Sequence, residues 1–264
     1  MSNVLMLFGT WKNKLTPSKS VQLAKVIKEY VYQYPLPFEL SICPSMVSLQ
    51  AVAREVAGSI PITAQNVIWD ASVSFTGETS ADSLVEIGCK YVMIGHSERR
   101  LYLAETDEQI SKKVLTAIKK GLIPLICIGE FFEDYEQGRT NEVIDAQMKA
   151  IIPSLRTCVN PSQFLIAYEP AWAITTSQQA IPCDPTLAEQ RHKYIRQILR
   201  SNWDSDFADN VKLIYGAGVN KGNIAEFLRQ PNIDGGLTGG ASQSAEKFIE
   251  LLEIVRRFVE QQNE

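Results

Sequence analysis

The chain has 264 residues, 45% of them hydrophobic and 21% charged, with a formal net charge of −4. That length and composition suffice for a large core without cross-links and suit a single α/β barrel. A mild acid excess with no basic block argues against a nucleic-acid or membrane-surface partner, so a small anionic ligand would need locally placed cations. Five cysteines (Cys43, Cys89, Cys127, Cys158, Cys183) are odd in number and lack C-x-x-C spacing. They read as reduced, partly buried thiols of a cytoplasmic protein. With only two histidines and no ligand-spaced cluster, no metal site is expected.

In chain order, Met1–Phe8 has no basic start or cleavage site and runs straight into Gly9-Thr10-Trp11-Lys12. It reads as a strand over Val4–Gly9 and not as a signal peptide. Further strands are expected at Phe38–Ile42, Ile62–Ala64, Tyr91–Ile94, Ile123–Ile128, Phe164–Tyr168, Val211–Tyr215 and Gly236–Thr238. Helical patterns lie between them. Ile110, Val114, Ala117 and Ile118 form one apolar stripe, with Lys112, Lys113, Lys119 and Lys120 placed outside it. Gly121 is positioned to close that helix, and Asp184-Pro185 to open another as N-cap and first-turn proline. Phe248, Leu251, Leu252, Val255 and Phe258 repeat the stripe in the last helix. No apolar run approaches membrane-spanning length. Eight strand–helix alternations without a linker predict one domain over residues 1–264, an α/β fold of the closed (β/α)8 barrel type. A doubly wound open sheet is the alternative, weakened because no glycine-rich dinucleotide fingerprint follows the first strand.

In a barrel, the residues just after each strand share one face. The most informative stretch is Tyr91-Val92-Met93-Ile94-Gly95-His96-Ser97-Glu98-Arg99-Arg100, where an apolar strand ends in a histidine and a charge cluster. Other strand ends supply Thr10 and Lys12, Glu169, Gly216-Ala217-Gly218, and Gly239-Gly240. Taken singly, Lys12 reads as a surface lysine, Glu169 as a solvated loop carboxylate, and the glycine pairs as turns. Taken together, they offer a base, a hydrogen-bond donor for a carbonyl, a cation and a backbone cradle for phosphate. That set suits aldose–ketose isomerisation of a small sugar phosphate through an enediolate, with no cofactor.

Over nearly its whole length the chain resembles the triosephosphate isomerase family. The resemblance rests on Thr10-Trp11-Lys12, Ala64-Gln65-Asn66, Phe75-Thr76-Gly77-Glu78, Ile94–Arg100, Cys127-Ile128-Gly129-Glu130, Ala167–Ile174, Leu213–Gly216 and Gly239-Gly240-Ala241-Ser242. It implies a TIM barrel with Glu169 as base, His96 as electrophile and Lys12 as substrate cation. Thr10 would stand beside Lys12, Glu98 would orient it, and Ser97 would hold Glu169 before substrate arrives. Thr175, Gly218, Gly239 and Gly240 would bind phosphate. A lid after the sixth strand would close over it, with Trp172 moving between Tyr168 and Glu130, Ser177 on the loop, and Tyr215 meeting the backbone near Ala180. The resemblance further implies a cytoplasmic homodimer acting on a small phosphorylated sugar, within glycolysis and gluconeogenesis.

The departures from the family cluster around the substrate. Thr10 replaces an asparagine, Thr175 and Ser177 replace lid glycines, Gln178 replaces a lysine, and Gly218 replaces a serine. Asn13 and Lys14 replace an apolar residue and an asparagine where a partner subunit would dock. The triose reading, glyceraldehyde 3-phosphate to dihydroxyacetone phosphate, therefore stands beside two alternatives. One is a paralogue acting on a four-carbon tetrulose (erythrulose) phosphate; the other is a catalytically silent phosphate-binding barrel.

Overall fold

The computed structural model describes residues 4–70, 72–175 and 180–262. Eight parallel strands close into one barrel in sequence order: β1 (Met6–Thr10), β2 (Glu39–Cys43), β3 (Ile62–Ala64), β4 (Cys89–Ile94), β5 (Ile123–Ile128), β6 (Leu165–Tyr168), β7 (Lys212–Tyr215) and β8 (Gly235–Thr238). The expected strands are all present: Ile62–Ala64 and Ile123–Ile128 coincide with the expectation, and the others have ends moved by at most two residues. Thr10 is the last residue of β1 and not the first of its loop.

Alternation along the strands builds two cores, as side chains one apart face opposite ways. Phe8, Tyr91, Met93, Leu125 and Cys127 fill the barrel interior. Leu7, Val92, Ile94, Ile126 and Ile128 face the helices instead. The barrel closes between β1 and β8, with Met6 opposite Gly235. A Cβ on Gly235 would lie 2.0 Å from the Met6 carbonyl oxygen, so only glycine permits that approach.

The helix boundaries follow local chemistry. Asp184 caps the helix Pro185–Arg200 by accepting the Thr186 N–H at 2.7 Å. Gly121, at φ +78, follows the helix Asp107–Lys119 and donates its N–H to the Ile118 carbonyl. In that helix Ile110, Val114 and Ala117 are buried as expected, but Lys113 is buried with them. It lies three residues after Ile110 and so borders the stripe. Its ammonium is ion-paired with buried Glu105 and hydrogen-bonded to Asn66 Oδ1 at 2.7 Å. Burial alone would disfavour the charge, and the carboxylate opposes that effect. The last helix, Ala245–Gln262, buries all five residues of its stripe. The five cysteines are free and buried. Among the described residues no helix is long and apolar enough to cross a membrane.

Candidate active site

Because the strands are parallel, their C-terminal ends meet on one face. A cavity of about 160 Å³ opens there, lined by Thr10, Lys12, His96, Glu169, Thr175, Gly218, Gly239 and Gly240. The cavity thus gathers the candidate base, electrophile, cation and phosphate-binding residues from the ends of five strands. Glu98 stands behind Lys12, while Ser97, Trp172 and Tyr215 are not in the lining. Ser177, like Gln178, lies outside the described residues.

Glu169 follows β6 directly and is only 2% exposed. Its backbone N–H donates to the Ile128 carbonyl at 2.8 Å. Gly129 and Gly216 flank it so tightly that a Cβ would lie 2.1 Å from the Glu169 carbonyl oxygen or 2.9 Å from its Cγ. Glu169 Oε1 lies 3.5 Å from His96 Nε2, and Oε2 has no hydrogen-bond partner among the described residues. A carboxylate held this way keeps lone pairs available for a carbon-bound proton. The expected contact with Ser97 is not formed: its buried hydroxyl also lacks a partner, since the carboxylate is turned towards His96.

His96 caps the short helix Ser97–Leu103, and its Nδ1 accepts the Glu98 backbone N–H at 3.2 Å. A ring nitrogen that accepts carries no proton, which leaves the N–H on Nε2, the atom nearest Glu169. Behind the carboxylate, Cys127 is buried in the barrel; burial first, then the charge of Glu169, pushes its thiol pKa well up. It remains S–H beside the candidate base.

Lys12 Nζ donates to Glu98 Oε1 at 2.6 Å, joining the ends of β1 and β4. The backbone of Lys12 is left-handed at φ +48, a conformation rare outside glycine. A Cβ on Gly239 would be 3.5 Å from Lys12 Cε, and one on Gly240 would meet nothing within 4 Å. The ammonium stem thus runs alongside a glycine pair whose backbone is open to a ligand. The Ser242 hydroxyl ties that loop to β1, lying 2.8 Å from the Gly239 carbonyl and 3.1 Å from that of Thr10.

Gly218 sits at φ +60, and a Cβ there would lie 3.1 Å from the Ala173 carbonyl and 4.0 Å from Thr175 Cγ2. The missing serine leaves room for the close approach of the Ala173–Thr175 segment at this point. At the start of the expected lid segment, Trp172 is buried against Tyr135, with ring centroids 4.1 Å apart. Its Nε1 donates to Glu130 Oε1 at 2.8 Å, and Tyr168 donates to the same carboxylate at 3.1 Å. Of its two expected stations, the indole therefore occupies the one on Glu130. The expected contact of Tyr215 near Ala180 is not made. Its hydroxyl has no hydrogen-bond partner among the described residues, and its ring stacks on Phe227 at 3.9 Å.

Several contributors escape strand-end reasoning. Lys14, Asn220 and Gln243 also line the cavity. Gln65, one residue past β3, donates its side-chain N–H groups to two backbone carbonyls, of Lys12 at 3.0 Å and Cys43 at 2.8 Å. Gln147 brackets Gly129 from the helix Thr140–Leu155, accepting its N–H at 2.8 Å and donating to its carbonyl at 3.0 Å. In the sequence, Gln65 and Gly129 are marked by their place in the family-like segments Ala64-Gln65-Asn66 and Cys127-Ile128-Gly129-Glu130.

Fold and site define a class: a closed parallel (β/α)8 barrel with a carboxylate–imidazole pair and a lysine facing a glycine-lined cavity. Comparison with known proteins makes the class specific. The family model for triosephosphate isomerase matches residues 5–255. The triosephosphate isomerase of Lactobacillus delbrueckii subsp. bulgaricus is 39% identical over 253 residues, covering 96% of this chain and 98% of that protein. That of Natranaerobius thermophilus is 40% identical over 253 residues, 96% of each chain. That of Magnetococcus marinus is 36% identical over 250 residues, covering 94% of this chain and 97% of that one. The chain belongs to the triosephosphate isomerase family.

Proposed function

We propose that this protein interconverts glyceraldehyde 3-phosphate and dihydroxyacetone phosphate without a cofactor, serving glycolysis and gluconeogenesis. The observation that carries this reading is Glu169 Oε1 placed 3.5 Å from His96 Nε2 in one cavity with Lys12 and the glycine pair. Glu169 takes a proton from the carbon beside the carbonyl, and the C=O electrons move onto oxygen to form an enediolate. His96, through Nε2–H, hydrogen-bonds that oxygen and serves the proton exchange between the two substrate oxygens. Glu169 then returns its proton to the neighbouring carbon, so the reaction has no net redox change. Lys12, oriented by Glu98 with Thr10 beside it, binds the anionic substrate. Thr175, Gly218, Gly239 and Gly240 receive the phosphate, and Trp172, Ser177 and Tyr215 serve the lid that the family resemblance implies. Ser97 stands ready to take Glu169 when it swings away from His96. Sequestration under the lid keeps water from an intermediate that would otherwise expel phosphate.

The test is turnover of purified protein on a panel of three- and four-carbon phosphosugars. A strong triose preference is expected, and a four-carbon preference overturns the triose assignment. The relatives are named triosephosphate isomerases, which gives no support to the four-carbon paralogue. Glu169→Gln should lower kcat by about 10²-fold or more. Near-native turnover overturns its role as the base.

We also infer a homodimer. Met46, Tyr102 and Leu103 are exposed and line a second opening of about 460 Å³ next to Lys12 and Glu98; Val47 and Leu101 are exposed beside them in the chain. Such a group of apolar side chains fits an isologous interface that would complete this wall of the site. Five free thiols, all buried, support a cytoplasmic setting.

A further inference from the structure

Lys12 holds a left-handed backbone, which a non-glycine residue keeps only where its surroundings over-determine it. Local contacts are thin: its own N–H reaches Thr10 Oγ1 at 3.4 Å, and the turn is otherwise held by Lys14 N–H to the Trp11 carbonyl at 3.2 Å. The stronger tie comes from 53 residues away. Gln65 Nε2 lies 3.0 Å from the Lys12 carbonyl oxygen and 2.8 Å from that of Cys43. The Cys43 carbonyl also accepts the Trp11 N–H at 3.0 Å. One primary amide therefore links the loop after β1 to the ends of β2 and β3. Its two N–H protons match the two acceptors, and a flipped amide would set oxygen against two carbonyl oxygens.

We propose that Gln65 is a positioning residue for catalysis, whose amide clamps Lys12 in its left-handed turn and so aims the ammonium into the substrate cavity. Gln65 acts only through Lys12 and rests on the reading of Lys12 as the substrate-binding cation. Without the clamp, residue 12 relaxes towards an ordinary backbone conformation, and the reach of Nζ to both the cavity and Glu98 is lost.

The experiment compares Gln65→Met with Lys12→Met in the full-length protein. The readouts are KM, kcat, inhibition by inorganic phosphate, Tm without ligand, and sedimentation. Gln65→Met is expected to raise KM and the phosphate inhibition constant by about tenfold or more. A smaller change in kcat and unchanged sedimentation should accompany that rise, because a lost ligand contact weakens binding throughout the reaction. Unchanged KM and phosphate inhibition overturn the proposal, as does a loss of activity that only follows the folded fraction. If Lys12→Met itself leaves KM and phosphate inhibition unaltered, the reading of Lys12 fails, a result distinct from failure of Gln65→Met alone.

Should Gln65→Met not fold, Gln65→Glu keeps the shape. An ionised carboxylate has no proton to donate, whereas its acid form donates one hydrogen bond. The ratio of variant to native KM is expected to fall as pH is lowered from 8 to 5.5. A ratio that stays flat overturns the clamp.

Discussion

Gly216 lies directly beneath Glu169, the proposed base, and a methyl group there would meet its Cγ at 2.9 Å and Oε1 at 3.3 Å. Gly216→Ala should therefore displace the carboxylate by a few tenths of an ångström while leaving the barrel intact. A fall in kcat of about tenfold to a hundredfold is expected, since small misplacements of a reacting group are costly; Tm should move by only a few degrees. Native kcat with a normal Tm would contradict the close fit. His192, the second histidine, behaves differently. It is fully buried beside the rings of Tyr168 and Tyr215, with Nδ1 donating to the Ala188 carbonyl at 2.8 Å and no partner for Nε2 among the described residues. Burial lowers its pKa from the ordinary 6.5, opposed more weakly by backbone carbonyls and by Glu189 and Asp234. Below pH 6.5 the unfolded chain therefore binds a proton that the native state refuses. Stability is full above that pH and falls as pH drops towards the native pKa, by up to about 1.4 kcal/mol per unit. In urea titrations at pH 7.5 and 5, a foldable His192→Gln should lose less stability on acidification than the native protein. An equal loss would assign the acid sensitivity elsewhere.

At the scale of elements, local rules govern the helix ends and long-range packing governs the buried polar residues. Asp184-Pro185 and Gly121 are legible because capping involves residues within one turn. Replacing Asp184 with alanine removes that cap and should lower Tm by about 2–4 °C with kcat unchanged; an unaltered melting curve would deny the cap any weight. Lys113 is the counter-case. Its charge reads as solvated until Glu105 and Asn66 are seen around it, and neither partner belongs to its own helix. Gly129 is similar. Nothing nearby in sequence says that the Glu169 backbone presses against it, or that Gln147 brackets it from another helix. The strand ends shift by a residue or two because pairing with neighbours, and not apolar content, decides where a strand stops.

For the whole molecule, closure sets both the site and the surface left over. The parallel barrel brings the ends of β1, β4, β6, β7 and β8 to one cavity and leaves Leu101, Tyr102 and Leu103 more than half exposed beside it. An isologous interface over this face predicts that Leu103→Asp shifts sedimentation from dimer to monomer and lowers activity along with it. A native protein that sediments as a monomer would refute the interface.

The barrel is legible along the chain, in eight short apolar runs alternating with amphipathic ones. So is the gathering of His96, Glu169, Lys12 and the glycine pairs on one face, because all of them follow strands. Those features depend on order and periodicity along the chain. That Glu169 faces His96 and not Ser97, that Trp172 rests on Glu130, and that Gln65 reaches the turn at Lys12 follow only from the folded chain. Each is a contact between segments tens of residues apart, fixed by the approach of backbones on closure, and no local pattern encodes such a distance.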